Sequence, residues 1–260
     1  MAFSSTELHS SGARSIAHRL KSISAGNVLD VATGNGDFIL TLMKTLKDYD
    51  SFIGIDTSDK ELEAARKNLK NRPAKFIRMN AEKIDFEGDY FDTVCIANSL
   101  HHLVNPNLVL SEMKRVLKSD GYFIVQEMFC DGEQTKAQKT DIASHGLGAE
   151  IDSLFGVPHR RTFTKRRIAD VVKKLELEKV EVFESSRYIK CLFCDQWKKC
   201  QDPKDRDMVN YALTEIDRDL ERLKNHQAQR RFKEKAERIR EKIAKFGSTP
   251  ASILFFIGKK

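Results

Sequence analysis

The chain has 260 residues, 40% of them hydrophobic, enough for one large α/β domain with an appendage. No run of about eighteen apolar residues occurs, so a membrane-spanning helix is not expected. The net charge of +7 is local: residues 187–249 hold 17 Lys/Arg against 11 Asp/Glu and the rest is nearly balanced, so the basic character belongs to one segment.

The opening MAFSSTELHSSGARSIAHRL lacks the apolar core of a secretion signal and reads as a polar loop leading into a short helix. Five scattered cysteines do not suggest a disulfide framework, and a reducing, cytoplasmic setting is expected. Val28-Leu29-Asp30-Val31-Ala32 then reads as a buried parallel strand, Gly34 and Gly36 as a tight turn, and Phe38, Ile39, Leu42, Met43 and Leu46 as one face of a helix. Phe52-Ile53-Gly54-Ile55-Asp56 is a second strand, followed by a helix through SDKELEAARKNLKN that Thr57-Ser58 introduces. Further strands are predicted at AKFIRMN (74–80), FDTVCIAN (91–98) and YFIVQEM (122–128), with a helix LVLSEMKRVLKSDG before the last. Strand and helix alternating with short connections predict a doubly wound, mostly parallel sheet.

The pattern loosens over residues 129–163, read as a lid or acceptor insert without clear alternation. A helix at TKRRIADVVKKLE, a strand at EKVEVFE and a last strand at ASILFFIGKK complete a seven-stranded core, assigned to residues 1–186 and 251–260. Residues 187–250 form a basic helical insertion before that last strand. Val209, Leu213, Ile216, Leu220 and Leu223 step along it as a heptad-like seam, which breaks at KNHQAQRR and resumes at Phe232, Ala236, Ile239, Ile243 and Phe246.

Strand, glycine turn, helix serves both dinucleotides and S-adenosylmethionine (SAM). A dinucleotide loop needs a third glycine, which Ile39 replaces, and bare N–H donors where Asp37 puts a carboxylate. SAM lacks a phosphate and carries an ammonium and a sulfonium, so the acidic loop favours SAM. Asp56, twenty residues past Gly36, stands where an acid can accept from ribose hydroxyls of either ligand.

In order and spacing, VLDVATGNGD, FIGIDTS, FIRMNAEKIDF, FDTVCIANSLHHL and MKRVLKSDGYFIVQE resemble the motifs of class I SAM-dependent methyltransferases, a Rossmann-like fold. The nearest branch is that of the ubiquinone/menaquinone C-methyltransferases, which shares Ala32 in place of a first glycine, and the resemblance covers roughly residues 25–130 and the terminal strands. It implies that Asp30, Ala32, Gly34 and Gly36 line the methionine part of SAM, that Asp56, with Thr57 beside it, holds the ribose, and that Asn98 sits by the transferable methyl. Asn80 and Ala81 would read the adenine; Asn80 departs from the family's usual Asp, though its amide oxygen can still accept from the adenine amine.

Methyl transfer asks the protein to align the acceptor, exclude water and, for a neutral acceptor, remove a proton. His101 and His102 follow the fourth strand and are candidate bases, or a plain packing segment. SHGLGAEIDSLFGVPHRR holds His145, Glu150, Asp152, His159, Arg160 and Arg161, which read as an acceptor site with a His/Asp base pair and an arginine clamp, a metal site, or a solvated lid. The lid with an acceptor-contacting residue is preferred, the catalytic candidates being His101, His102, His145, Asp152 and His159, and no residue is assigned to a metal. Cys191, Cys194 and Cys200, with Cys130, read as a metal or metalloid site or as a thiol cluster packed by Phe193 and Trp197; Cys95 reads as core.

The expected function is SAM-dependent methylation of a small-molecule acceptor by a monomer or homodimer, with no membrane partner. The alternatives are an RNA or protein methyltransferase that docks its substrate on the basic helices, and a SAM-binding scaffold without turnover. Nucleic acid is disfavoured because acids interleave with the bases (DLERLK, KEKAERIREK).

Overall fold

The structure is a computed structural model that describes residues 12–193 and 202–260. In chain order, α1 (Ala13–Leu20) leads to β1 (Asn27–Val31), α2 (Asp37–Thr45), β2 (Ser51–Asp56), α3 (Asp59–Asn68) and β3 (Ala74–Arg78). Then come β4 (Phe91–Ala97), α4 (Pro106–Val116), β5 (Leu117–Met128), α5 (Lys136–Leu154), α6 (Lys165–Lys173) and β6 (Glu178–Ser185). The chain ends with α7 (Arg206–Glu221), α8 (Gln229–Phe246) and β7 (Ile253–Lys259).

All seven strands join one sheet in the order β3-β2-β1-β4-β5-β7-β6, parallel except for β7, which runs against both its neighbours. Val28, Leu29 and Val31 of β1 are fully buried, because a parallel strand covered on both faces presents apolar residues continuously and does not alternate. On one face Ile16 and Leu20 of α1 pack with Ile39 and Leu42 of α2; on the other, Leu110 and Met113 of α4 pack near Ile168 of α6. Each such side chain contributes roughly 1.5–3 kcal/mol by leaving water. This is the seven-stranded, doubly wound core that the strand pattern predicts.

Two elements depart from expectation. The helix predicted to run to Gly121 ends at Val116, where Leu117 turns extended and begins β5. Asp120, at φ +60°, lies in the stretch where the register with β4 jumps, Phe91 facing Leu117 and Thr93 facing Tyr122. Residues 129–163, read as irregular, contain the 19-residue helix α5. Thr135 caps it by accepting from the Gln138 N–H while the Gln138 side chain accepts from the Thr135 N–H. Gly148 looks like a helix breaker but is a point of close approach: a Cβ there would stand 2.8 Å from Asp219 Oδ2 of α7.

Among the described residues the insertion forms two α-helices, α7 and α8, separated by residues 222–228, so that Gln229, Arg230 and Arg231 of the predicted break KNHQAQRR already belong to α8. Their seams do more than pack on each other. Ala212, Ile216, Phe232, Ala236, Ile239 and Ile243 close a third apolar cluster against Leu147 and Ile151 of α5. The segment read as a lid and the basic insertion thus make one three-helix unit beside the sheet.

Candidate cofactor pocket and histidine cluster

Strand order reverses between β1 and β4, and a cavity of about 320 Å³ opens at their carboxyl ends. Asp30, Ala32, Gly34 and Asn98, four of the predicted cofactor residues, line it. Ala32 and Asn98 have φ of +53° and +49°, a left-handed conformation unusual for residues with a Cβ, so the backbone is strained where the two strands end. Gly36 caps α2 at φ +81°, and a Cβ there would stand 2.4 Å from Leu69 Cδ1, so only glycine fits.

Asp30 is buried, accepting from Thr33 Oγ1 at 2.6 Å and from the Cys95 thiol at 3.3 Å. Burial pushes its carboxyl up to about 7, against the lowering effect of those two hydrogen bonds. Asn98 Oδ1 is buried without a hydrogen-bond partner, an acceptor that still lacks its donor. Cys95 lies in the core as expected, its pKa raised by burial and by Asp30.

The remaining predicted cofactor residues lie along the same sheet edge but outside this cavity. Asp56 braces the loop: its Oδ2 accepts from the Gly34 N–H at 3.0 Å and its Oδ1 from the Ser58 N–H at 2.9 Å. Thr57 is exposed beside it. Asn80 is exposed beyond β3, its Oδ1 accepting from the Glu82 N–H at 2.9 Å, and Ala81 packs against the core. Gln126, Tyr188 and Lys190 also line the cavity, and sequence reasoning missed them. Lys190 sits 3.2 Å from Asp37, so the acidic charge invoked against a pyrophosphate has a basic partner. Nothing local in the sequence announced that pairing across 153 positions.

Two residues past Asn98, a 3-10 turn over Leu100–His102 carries the two histidines. His101 is buried, with Nδ1 2.7 Å from Glu127 Oε1, and Glu127 Oε2 accepts from the Leu100 N–H at 2.8 Å. From α5 and the segment after it come His145 and His159, with their Nε2 atoms 3.2 Å apart. Asp152 Oδ2 is 2.6 Å from His159 Nδ1, while its Oδ1 meets Arg222 at 2.6 Å. Thr162 Oγ1 lies 3.2 Å from His145 Nδ1. All five catalytic candidates therefore converge. Burial, with the neighbouring imidazoles, pushes His145 down to about 3 and lowers His159, although the Asp152 hydrogen bond opposes the latter. His102 is the exposed member of the group, and desolvation, then the other three imidazoles, lowers it too.

The arginines do other work than the predicted clamp. Arg160 donates to the Leu103 and Val104 carbonyls, and Arg161 pairs with Glu150. Cys194, Cys200 and Trp197 lie outside the described residues.

A family model described as a methyltransferase domain matches residues 23–181. The chain belongs to this family, the class I SAM-dependent methyltransferases. Over 110 residues it is 34% identical to the ubiquinone/menaquinone biosynthesis C-methyltransferase UbiE of a Marinomonas species, a match covering 40% of this chain and 44% of that protein. The chain thus spans less than half the length of the curated relatives it matches. Among solved structures, YcgJ of Bacillus subtilis superposes with a TM-score of 0.52 at 17% identity, covering 95% of this chain and 97% of that one. The phosphoethanolamine N-methyltransferase 2 of Haemonchus contortus, solved with SAM, gives a TM-score of 0.55 at 16% identity, covering 95% and 52%. These likenesses establish the fold.

The cavity suits SAM, the cofactor of the family. It offers a buried acid and an orphaned amide oxygen to a ligand bearing two cationic centres, and open space above Gly34, where a Cβ would meet nothing within 4 Å. Among the described residues no helix is long and apolar enough to cross a membrane.

Proposed function

We propose that the chain methylates a small-molecule acceptor. Carrying this reading is the cavity at the strand reversal, where Asp30 and the unpartnered Asn98 Oδ1 meet the strained turns at Ala32 and Asn98. SAM would supply a methyl group already activated on a sulfonium. The chain's own contribution is to bind and orient: Asp30 and Asn98 take the cationic end, Asp56 with Thr57 is offered to the ribose, and Asn80-Ala81 to the adenine. Gly36 keeps the first turn of α2 close. Where the acceptor must lose a proton, His101, His102, His145 and the His159–Asp152 pair stand at the acceptor side, and the lowered pKa values of His102, His145 and His159 leave them neutral with a lone pair to take it.

The basic helices support a small acceptor over RNA or a protein. Several of their cations are already engaged: Arg240 pairs with Asp217 and Glu237, Lys235 with Glu150, and Arg222 with Asp152 and Asp219. A polyanion would have to displace those partners.

The test is methyl-labelled SAM incubated with the pure protein and a cell extract, which is then divided into small molecules, RNA and protein. Label among the small molecules is expected. Label in RNA or protein would refute the reading, and binding without transfer would make the chain a SAM-dependent scaffold.

A further inference from the structure

We propose that His101, His102, His145 and His159 form a site for one divalent transition-metal ion of the zinc, cobalt or nickel kind. Four imidazoles from three separate segments each place a ring nitrogen within 4.8 Å of the others, and among the described residues no cysteine or carboxylate joins the set.

Hydrogen bonds behind the rings fix which nitrogen faces inward. A carboxylate can only accept, so His101 Nδ1 gives its proton to Glu127 and His159 Nδ1 gives its own to Asp152. Both Nε2 atoms are then bare lone pairs. Each carboxylate is itself held, Glu127 by the Leu100 N–H and Asp152 by Arg222. Histidines that ligate metals are oriented in this way, the second nitrogen donating to a carboxylate.

On the front side one nitrogen is unpartnered. His101 Nε2 is buried and has none, and the His159 and His145 Nε2 atoms stand 3.2 Å apart. Two nitrogens on one tetrahedral ion with bonds of about 2.0–2.1 Å are separated by about 3.3 Å. A proton could bridge that one pair if Thr162 donated to His145 Nδ1, but it would leave His101 Nε2 orphaned. A single ion satisfies all three, and while bound it takes the lone pairs that would otherwise accept a proton. An all-imidazole set selects borderline ions over magnesium or calcium, which want oxygen.

His102 completes the set from the solvent side, with its ring 4.0 Å from that of His159 and 4.2 Å from that of His101. Its position is the exchangeable one, where an anionic oxygen or a thiolate could enter. That last role rests on the methyltransferase reading; metal binding does not.

The test starts from the full chain stripped with chelator, reloaded with Zn2+ or Co2+ and freed of unbound ion. Metal content, the visible bands of Co2+ and SAM affinity are measured separately. One ion per chain with tetrahedral Co2+ bands is expected. His101→Ala with His159→Ala should lose the ion while keeping SAM affinity, and the exposed His18→Gln should keep both. Glu127→Gln, which alters the support of His101 and the acceptor of the Leu100 N–H, should weaken the ion by about ten- to a hundredfold. Failure of wild type to retain an ion, or equal retention by the double variant, overturns the proposal. Loss of SAM binding with the metal site intact would instead overturn the functional reading.

Discussion

Replacing Asp30 with asparagine should make the ligand-free protein more stable and SAM binding weaker. The folded carboxyl titrates near 7 against 3.8 for an ordinary aspartate, because burial outweighs the bonds from Thr33 and Cys95. Between those values the folded state holds a proton that the unfolded chain has lost, so stability falls as pH rises across the window and is lowest above it. Three pH units correspond to about 4 kcal/mol, an upper figure for what Asp30→Asn recovers at pH 8. A ligand whose ammonium and sulfonium face the carboxyl reverses the preference, since it binds the ionised acid. If only that form binds, the competent fraction falls about tenfold between pH 8 and pH 6, about 1.4 kcal/mol. Titration calorimetry in two buffers of different ionisation enthalpy should show about half a proton released by Asp30 on binding near pH 7 in wild type and none from this position in Asp30→Asn. A SAM affinity with the same pH slope in the two proteins would refute the argument.

Gly36→Ala should cost about 1–3 kcal/mol in denaturant unfolding and lower SAM affinity, because the new Cβ meets Leu69 at a backbone angle that disfavours it. Lys190→Ala should change stability by less than about 1 kcal/mol, since its pair with Asp37 is half exposed on both sides. Thr135→Ala should cost about 1 kcal/mol by removing the cap of α5. Phe232→Ala, at a fully buried position among α5, α7 and α8, should cost about 3–5 kcal/mol in the same unfolding measurement.

The cofactor half of the molecule was legible because its chemistry is local. Val28 to Gly36 carries a buried strand, a turn and a helix start within nine residues, and hydrophobic periodicity reports each of them. The histidine cluster is assembled from a distance. His101 and His159 are 58 positions apart, and no local pattern places one beside the other. Helix α5 was hidden by Gly146 and Gly148, which resemble breaks until α7 is seen pressed against the second of them. The Thr135/Gln138 capping signal was present and unread, a miss that local chemistry could have prevented. Lys190 and Tyr188 entered the cavity from beyond β6, where sequence spacing says nothing about proximity.

The basic insertion reaches the histidine cluster through α5 and Arg222. Helix α5 turns Leu147 and Ile151 toward α7 and α8, while its His145 and Asp152 belong to the histidine cluster. Arg222, just past α7, holds Asp152 at 2.6 Å, and Asp152 holds His159. Arg222→Ala should therefore leave SAM affinity unchanged while weakening the bound ion by about tenfold, as for other residues that orient a metal ligand. The Arg222–Asp152 pair is partly exposed, at 37% and 19%, so its direct contribution to folding should stay near or below about 1 kcal/mol, and thermal unfolding should barely move. Co2+ titration beside SAM titration reads the two effects separately. A parallel loss of both affinities would mean that the insertion supports the whole fold, and an unchanged Co2+ affinity would mean that Asp152 keeps its place without Arg222.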